Sequence, residues 1–247
     1  MDRVSVVMPA YNAASTLEAS MRSALEQTHA DVELLVVDDC STDRGWDLVE
    51  RMARADPRVV PIRQPRNGGV AAARNAGIEA ASGRYIAFLD SDDRWYPDKL
   101  AAQLACMRES GARVGYAAYE RVDESGRVLS VVRPPARVTY ADMLKGNVIG
   151  NLTGLYDRSL GEVRFEKMGH EDYVFWLKLV RLAGGAVCAQ PDRVLASYLV
   201  RSGSLSANKL RAARWQWRIY RDSERLGVLR AGWCFLHYAA RAVHKRV

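Results

Sequence analysis

Short apolar runs alternate with amphipathic segments over the first 89 residues of the chain. Apolar runs of strand length are typical of parallel strands buried on both faces, and a three-to-four-residue apolar spacing indicates helices that cover them. The runs predict strands at residues 3–8, 32–37, 58–63 and 85–89. The segments between them predict helices at residues 15–28, 43–55 and 70–81. Three strand–helix repeats followed by a strand predict an α/β protein with a doubly wound, mostly parallel, Rossmann-like sheet.

The pattern changes after a predicted helix at residues 97–109. Two strand patterns, 114–122 and 127–132, flank the turn signal Asp123-Glu124-Ser125-Gly126 and predict a hairpin. Beyond it we expect helices at 140–145 and 171–182, and strands at 151–156, 186–189 and 194–200. The second half is therefore expected to be mixed and to extend the same sheet. Residues 1–110 and 111–205 would then form two halves of one domain.

Polar side chains gather where the predicted parallel strands end. They are Tyr11 and Asn12 after the first strand, Asp38 and Asp39 after the second, and Asp90, Asp92 and Asp93 after the fourth. Because the carboxyl ends of parallel strands meet at one edge of a sheet, we expect these side chains to line a shared binding crevice.

The sequence Asp90-Ser91-Asp92-Asp93 places three carboxylates within four residues. Carboxylates so close together repel one another, and a divalent cation such as Mg²⁺ or Mn²⁺ would offset the repulsion with oxygen ligands. A solvated Asp-rich turn explains the four residues equally well. The sequence of this segment alone leaves both interpretations open.

The usual nucleotide-binding signatures are absent, since neither GxGxxG nor GxxxxGK[ST] follows the first strand. The crevice could still bind a nucleotide: an aspartate can accept the imide N–H of a uracil-type base, and Tyr11 can stack on its face. Asn67 and Arg74 follow the third strand and would complete the site. Taken singly, Tyr11 reads as a packed turn aromatic and Arg74 as a solvated helix residue. Their joint placement at strand ends favours binding.

A second acid pair occurs in Gly169-His170-Glu171-Asp172, at the start of a predicted helix. Acids in a first turn gain from the helix dipole by about 0.3–1 kcal/mol, so a capping role is a serious alternative. The functional interpretation makes one of them a general base that deprotonates an acceptor hydroxyl. His170 is expected to be a spectator or hydrogen-bond donor, because no second histidine lies at metal-ligand spacing.

Composition places the chain among soluble globular proteins, with 49% hydrophobic and 26% charged residues in 247. The four cysteines show no CxxC or metal-type spacing, which predicts reduced thiols in a cytosolic compartment. The chain begins directly with a strand pattern and has no 18-residue apolar run. We therefore expect neither a signal peptide nor a membrane-spanning segment.

The positive charge is concentrated at the end of the chain. Residues 209–247 hold ten Lys and Arg against two acids, and the remaining 208 residues have a net charge of −1. We expect residues 206–247 to form basic, aromatic helices, with Arg211, Arg214, Arg218, Arg221 and Arg225 on one face. Such helices commonly lie on anionic membranes, although packing on the body with solvated arginines is the alternative. A charge confined to one end argues against nucleic acid as the partner.

Five segments together resemble family 2 glycosyltransferases of the GT-A fold. They are Val4–Asn12, Val36–Asp43, Arg66–Gly77, Leu89–Asp93 and His170–Tyr173, which span most of the chain in the family's order. Two further segments, Phe175–Leu179 and Ser204–Lys209, resemble bacterial teichuronic acid and capsular polysaccharide transferases. One departure is the loop Arg201-Ser202-Gly203-Ser204, where relatives often carry a histidine. Arg201 is expected to serve the phosphates in its place.

The resemblance implies a role for each candidate site residue. Asp39 would bind the base of a nucleotide sugar, with Tyr11 stacked on it, Pro9 lining the pocket, and Asn12 and Asn67 beside them. Asp90 would face the ribose or donor sugar, and Asp92 would hold Mn²⁺ or Mg²⁺. Asp93 is expected from its position only to cap the following segment. Asp172 would be the catalytic base, and Glu171 would orient the site or the acceptor. Arg74 would stabilise the departing diphosphate.

The activity implied by the resemblance is inverting transfer from a nucleotide sugar, expected to be a UDP-sugar, to a glycan or lipid-linked acceptor. Residues 1–110 would then bind the nucleotide and residues 111–205 the acceptor. The expected location is the cytoplasm, with the tail at the cytoplasmic face of the inner membrane. The alternative function is a catalytically inactive nucleotide-sugar-binding scaffold. A nucleotidyltransferase is disfavoured, because its Gly-rich first loop with Arg and Lys is absent.

Overall fold

The computed structural model describes residues 2–201 and 209–244. Its first part consists of four strands and three helices in strict alternation. In chain order they are β1 (Val4–Ala10), α1 (Leu17–Leu25), β2 (Val32–Asp38), α2 (Gly45–Ala55), β3 (Val59–Arg63), α3 (Val70–Ala80) and β4 (Tyr85–Phe88). β1 pairs in parallel with both β2 and β4, and β2 pairs in parallel with β3. The predicted parallel sheet is confirmed.

The second part extends the same sheet with mixed strand directions, as predicted. Its elements are β5 (Arg94–Trp95), α4 (Lys99–Ser110), β6 (Val114–Val122), β7 (Val128–Val132), β8 (Arg137–Val138), α5 (Tyr140–Met143), β9 (Leu155–Asp157), α6 (Glu171–Ala183) and β10 (Ala186–Leu199). The described residues form one sheet in the order β3-β2-β1-β4-β9-β6-β10-β5, with β7 on β6 and β8 on β10. β9 is antiparallel to both β4 and β6, so β4 and β6 run in the same direction. β10 is parallel to β6, and its end therefore reaches the edge where β1, β2 and β4 end.

Several element boundaries differ from those predicted. The two strands expected at 186–189 and 194–200 are the single strand β10, in which residues 190–193 bulge out before pairing with β6 resumes. Residues 151–153 form a 3₁₀ turn in place of the start of a strand, and Asn151 Oδ1 accepts a hydrogen bond from Trp176 Nε1 at 3.2 Å. α2 begins at Gly45, because Ser41 and Thr42 bond to Asn12 and do not cap the helix.

The sheet separates two apolar layers. Val6 and Met8 of β1 pack with α1, α2 and α4 on one face, whereas Val7 between them packs with α3, α5 and α6 on the other. Such alternation follows from the strand geometry, which directs successive side chains to opposite faces. The strand ends therefore open between two helical layers, and that is where the polar residues lie.

The C-terminal tail forms α7 (Lys209–Arg218), a π-helical turn (Ile219–Ser223) and α8 (Val228–His244). The expectation of one arginine face that includes Arg225 is wrong, because the helix that continues from α7 through the π-helical turn ends at Ser223 and Arg225 has a φ of +50°. Tyr220 is buried and donates a hydrogen bond to Leu144 O at 2.5 Å, and Tyr140 donates to Glu224 at 2.5 Å. The tail thus packs on the body of the protein.

Within the described ranges, no helix is both long and apolar enough to cross a membrane. All four cysteines are free thiols, as their spacing predicted.

Candidate active site

Asp39 fixes the loop that precedes α3. The Asp39 carboxylate is buried and accepts the backbone N–H groups of Gly68 and Gly69, each at 2.8 Å. Asn67 Nδ2 donates to the Asp39 carbonyl at 3.1 Å. Gly69 has a φ of +86°, a conformation that favours glycine. Asp39 and Asn67 are therefore adjacent, and Asp39 holds the loop in addition to any contact with a base.

Tyr11 and Asn12 form the neighbouring wall, beyond the end of β1. Asn12 adopts a left-handed conformation and its Oδ1 accepts a hydrogen bond from Thr42 N at 2.8 Å, which ties the β1 loop to the β2 loop. The Tyr11 side chain is 52% exposed, so it is not a packed turn aromatic, and its ring is available for stacking. Pro9 is buried within β1, opposite Val37.

Arg74 joins two acidic segments that lie 81 residues apart in sequence, at Asp90 and Glu171. Its Nη2 donates to both carboxylate oxygens of Asp90, at 2.8 and 3.0 Å, and its Nη1 lies 3.6 Å from Glu171 Oε1. Arg74 is only 5% exposed, so the interpretation as a solvated helix residue is wrong. Burial opposes its charge, yet Asp90, Asp172 and Glu171 together raise the pKa of Arg74 above its ordinary value.

The small residues of α3 bring Arg74 to this position. A Cβ on Gly77 would lie 2.4 Å from Val7 Cγ1, so only glycine lets the helix approach β1 so closely. The guanidinium carbon of Arg74 also lies 5.2 Å from the centre of the Phe165 ring. Arg74 is thereby held at the edge where β1 and β4 end, between the two acidic segments.

In the acidic loop after β4, nearby positive charge does not fully compensate for the three carboxylates. Burial and the neighbouring Asp90 raise the pKa of Asp92, which Arg201 opposes with its Nε 3.4 Å from Asp92 Oδ2. Burial, Asp90 and Asp92 raise the pKa of Asp93 well above its ordinary range. Asp93 accepts the backbone N–H of Leu199 at 3.0 Å, so it anchors the end of β10 and does not merely cap the following segment. A solvated turn does not describe this loop.

The donor set of the loop fits a divalent cation in part. Carboxylate oxygens suit Mg²⁺ and Mn²⁺, and the unfavourable proximity of Asp90 and Asp92 is the condition that a cation relieves. In the part of the chain that the structure describes, no three His, Cys, Asp or Glu side chains are arranged to hold a metal ion between them. Phosphate and water oxygens would have to complete the coordination.

The second acid pair begins α6 and faces the acidic loop. Asp172 Oδ2 accepts a hydrogen bond from Asn147 Nδ2 at 3.3 Å, and Glu171 faces Arg74. Burial raises the pKa of Glu171, although Arg74 counteracts the shift. The N-cap residue His170 makes no side-chain cap, and both acids contact side chains across the site. These contacts bring the donor-side and acceptor-side candidates of the sequence together around one guanidinium.

A contact between the site and the tail was not predicted. The His170 ring packs edge-on against Trp215 of α7, with ring centres 5.3 Å apart. A Cβ on Gly169 would lie 1.9 Å from Trp215, so the indole occupies the space above this glycine. The sequence predicts that His170 is a spectator or hydrogen-bond donor and that Trp215 belongs to the tail, with no contact between them. The one available signal was the glycine immediately before His170.

A cleft of about 680 Å³ opens beside Asp92 on the α1 side of the sheet edge. Its lining includes Thr16, Glu120, Asp123 and Arg201, but not Tyr11, Asp39, Glu171 or Asp172. Arg201 bridges two residues of this lining, because its Nε lies near Asp92 and its Nη2 donates a hydrogen bond to Thr16 Oγ1 at 3.3 Å. Residues 202–204 of the loop after Arg201 lie outside the described residues. This cleft therefore reaches Asp92 without including the α6 acids.

Comparison with known proteins shows what the chain is similar to. The family model described as "Glycosyl transferase family 2" matches residues 5–154. The chain is 38% identical over 247 residues to the putative teichuronic acid biosynthesis glycosyltransferase TuaG of Bacillus subtilis, covering 99% of this chain and 97% of the relative. It is 35% identical over 212 residues to the Escherichia coli UDP-Glc:alpha-D-GlcNAc-diphosphoundecaprenol beta-1,3-glucosyltransferase WfaP, covering 85% and 82%.

The fold has a counterpart among solved structures. Residues 1–349 of Staphylococcus aureus TarS in complex with UDP-GlcNAc align with a TM-score of 0.76 at 21% identity, covering 96% of this chain and 71% of that chain. At this identity the similarity establishes the fold, which is the predicted GT-A fold.

The buried Arg74 bridge leads to a prediction about stability. We expect Arg74→Met to lower the free energy of unfolding by about 3–5 kcal/mol, because it leaves Asp90 and Glu171 without their shared cation. Arg22→Met is the matched control, since Arg22 is exposed and its partner Glu18, 2.8 Å away, has a side chain that is 45% exposed. It should cost no more than about 1 kcal/mol. Urea unfolding of both variants measures the difference, and equal losses would contradict a structural role for the bridge.

Proposed function

The chain belongs to glycosyl transferase family 2, and on that premise we propose that it transfers a sugar from a UDP-sugar to a hydroxyl of a lipid-linked glycan. The observation that carries the proposal is the convergence of the acidic loop and the α6 acid pair on Arg74. The name of the E. coli relative WfaP, with a UDP-sugar donor and a diphosphoundecaprenol acceptor, supports these substrate classes. The TuaG likeness supports a role in polysaccharide biosynthesis.

The donor would lie along the edge formed by the β1, β2 and β4 loops. Tyr11 would stack on the base, with Pro9 beneath it, and the Asn12, Asp39 and Asn67 loops would shape the pocket. The hydrogen bonds of Asp39 to Gly68 and Gly69 favour a pocket formed before the donor arrives. Asp90 would then face the ribose or the donor sugar, with Arg74 fixing its orientation.

Asp92 would hold a divalent cation together with the donor diphosphate, and the cation would neutralise negative charge on the departing nucleotide. Arg201 is the protein cation beside Asp92 and is exposed enough to contact phosphate. Arg74 is buried and engaged with Asp90 and Glu171, which supports a positioning role in place of the direct diphosphate contact expected from the sequence.

Asp172 is the proposed general base. The acceptor hydroxyl oxygen would attack the anomeric carbon of the donor while its proton passes to Asp172. The bond from the anomeric carbon to the diphosphate oxygen would break in the same step, giving inversion. Asn147 orients Asp172, and Glu171, held by Arg74, would orient the acceptor. The alternative of an inactive scaffold draws no support from the site, because both acid sets are complete.

We propose that the enzyme acts at the cytoplasmic face of the membrane, where both lipid-linked acceptors and nucleotide sugars are present. The basic tail supports membrane contact in preference to nucleic acid, because its charge is confined to one end of the chain. Residues 1–110 would bind the nucleotide and residues 111–205 the acceptor, with 206–247 as the tail.

The base assignment predicts the effect of Asp172→Asn. Removing the proton acceptor should lower kcat by about 100- to 10,000-fold, while the Kd for the UDP-sugar stays nearly unchanged. Turnover with a diphospholipid-linked GlcNAc acceptor and calorimetric titration of UDP-glucose measure the two quantities. Glu166→Gln serves as the control, since Glu166 is exposed and pairs with Lys178. Substantial turnover by the Asp172 variant would reject the assignment.

The Asp92 environment predicts an effect on metal affinity. Arg201 competes with a cation for Asp92, so Arg201→Gln should tighten Mn²⁺ binding to the donor-free protein by about fivefold or more. Titration followed by electron paramagnetic resonance of free Mn²⁺ measures this without turnover. Arg193→Gln is the control, because Arg193 is exposed and pairs with Asp98, not with Asp92. Unchanged or weaker Mn²⁺ binding would contradict competition between Arg201 and a cation at Asp92.

A further inference from the structure

The last helix, α8, has two apolar faces, and only one of them is used by the fold. Ala231 and Cys234 are buried against the body of the protein. On the opposite side Leu229 is 91% exposed, Trp233 61% and Leu236 66%. With the exposed Ala240, these residues follow an i, i+4, i+7, i+11 spacing, which is one continuous helix face. We call the four residues the outer stripe.

The outer stripe is unusual for this molecule. Among the residues of the body that the structure describes, exposed large apolar side chains are isolated or paired, as at Val128, Leu129 and Leu182. Single exposed apolar residues need no explanation, but a contiguous apolar strip that ends in polar surroundings marks an interaction surface. Folding alone does not account for the stripe, because the inner face already anchors α8.

The charges around the stripe indicate what covers it. Arg225 and Arg230 are exposed at its beginning, and neither has a carboxylate within ion-pair distance among the residues that the structure describes. Residues 209–247 hold ten basic against two acidic side chains, so two copies of the tail would repel each other. Apolar and aromatic side chains flanked by arginines match an anionic lipid surface, where the former enter the headgroup boundary and the latter meet phosphates.

The stripe is connected to the active site through packed side chains. Phe235 of α8 packs against Trp217 of α7, with ring centres 5.8 Å apart. Trp215 of the same helix lies over Gly169 and against His170, the residue before Glu171 and Asp172. The orientation of α8 is therefore coupled to the start of α6, where the proposed base lies.

We propose that the outer stripe, with Arg225 and Arg230, docks the enzyme on an anionic bilayer and sets the direction in which Asp172 meets a membrane-bound acceptor. The docking stands on the stripe and its charges alone. The orienting role rests on the proposed function, since it requires a lipid-linked acceptor.

Vesicle flotation of the full chain tests the docking. Wild type should bind phosphatidylcholine vesicles that contain phosphatidylglycerol, and bind those without it far more weakly. The triple variant L229S/W233S/L236S should bind the anionic vesicles about tenfold or more weakly than wild type. R225Q/R230Q should bind the anionic vesicles more weakly, without a matching loss of affinity for the vesicles that lack phosphatidylglycerol. V128S/L129S is the matched control, because it removes exposed apolar surface from the β7 hairpin. It should bind as wild type does.

Three outcomes would overturn the docking: no vesicle binding by wild type, full binding by the triple variant, or equal loss in the hairpin control. A dimer seen by analytical ultracentrifugation in wild type but not in the triple variant would assign the stripe to a second copy instead. Turnover on a short-chain, water-soluble acceptor separates this question from the activity. The triple variant should match wild type there and fall behind only with acceptor embedded in anionic vesicles, whereas failure of wild type on both acceptors would reject the proposed function.

Discussion

The site depends on one buried guanidinium that holds two acidic segments together. Without Arg74, the acidic loop after β4 and the acids that begin α6 would face each other as like charges in a half-buried crevice. Such a contact is unfavourable unless a cation compensates for it, and burial makes the compensation more important. The bridge therefore fixes the distance between the part of the site that would hold the donor and the part that would activate the acceptor.

That bridge requires the close approach of α3 to the sheet. Gly77 lies directly over Val7, and the alanines of the helix add little bulk, so the arginine reaches the strand ends while its ring neighbour Phe165 covers it. On the other side of the same edge, Asp93 accepts a hydrogen bond from the Leu199 N–H and so anchors the end of β10. Buried polar contacts thus set the shape of the crevice, and the apolar layers set its position.

Much of the fold follows from the sequence pattern, because buried parallel strands and the helices that cover them have distinct apolar periods. The grouping of Tyr11, Asp39 and Asp92 at one edge follows from topology alone. The burial of Arg74 could not be predicted, because it depends on the distance between α3 and β1. The burial of Lys99 could not be predicted either; its amine lies over the Trp95 ring, 3.7 Å from the ring centre. Nor could the contact of Trp215 with Gly169. Long-range contacts of this kind leave no local pattern.

The central claim is that acids on opposite sides of Arg74 act on one anomeric carbon, with a base on the acceptor side and the leaving group held on the other. The most direct measurement is the anomeric configuration of the product formed from UDP-α-glucose, read from the proton coupling constant of the new linkage by NMR. A single displacement predicts a β-linked product. An α-linked product would require retention, and would contradict the assignment of the two acidic segments to opposite faces of the reacting carbon.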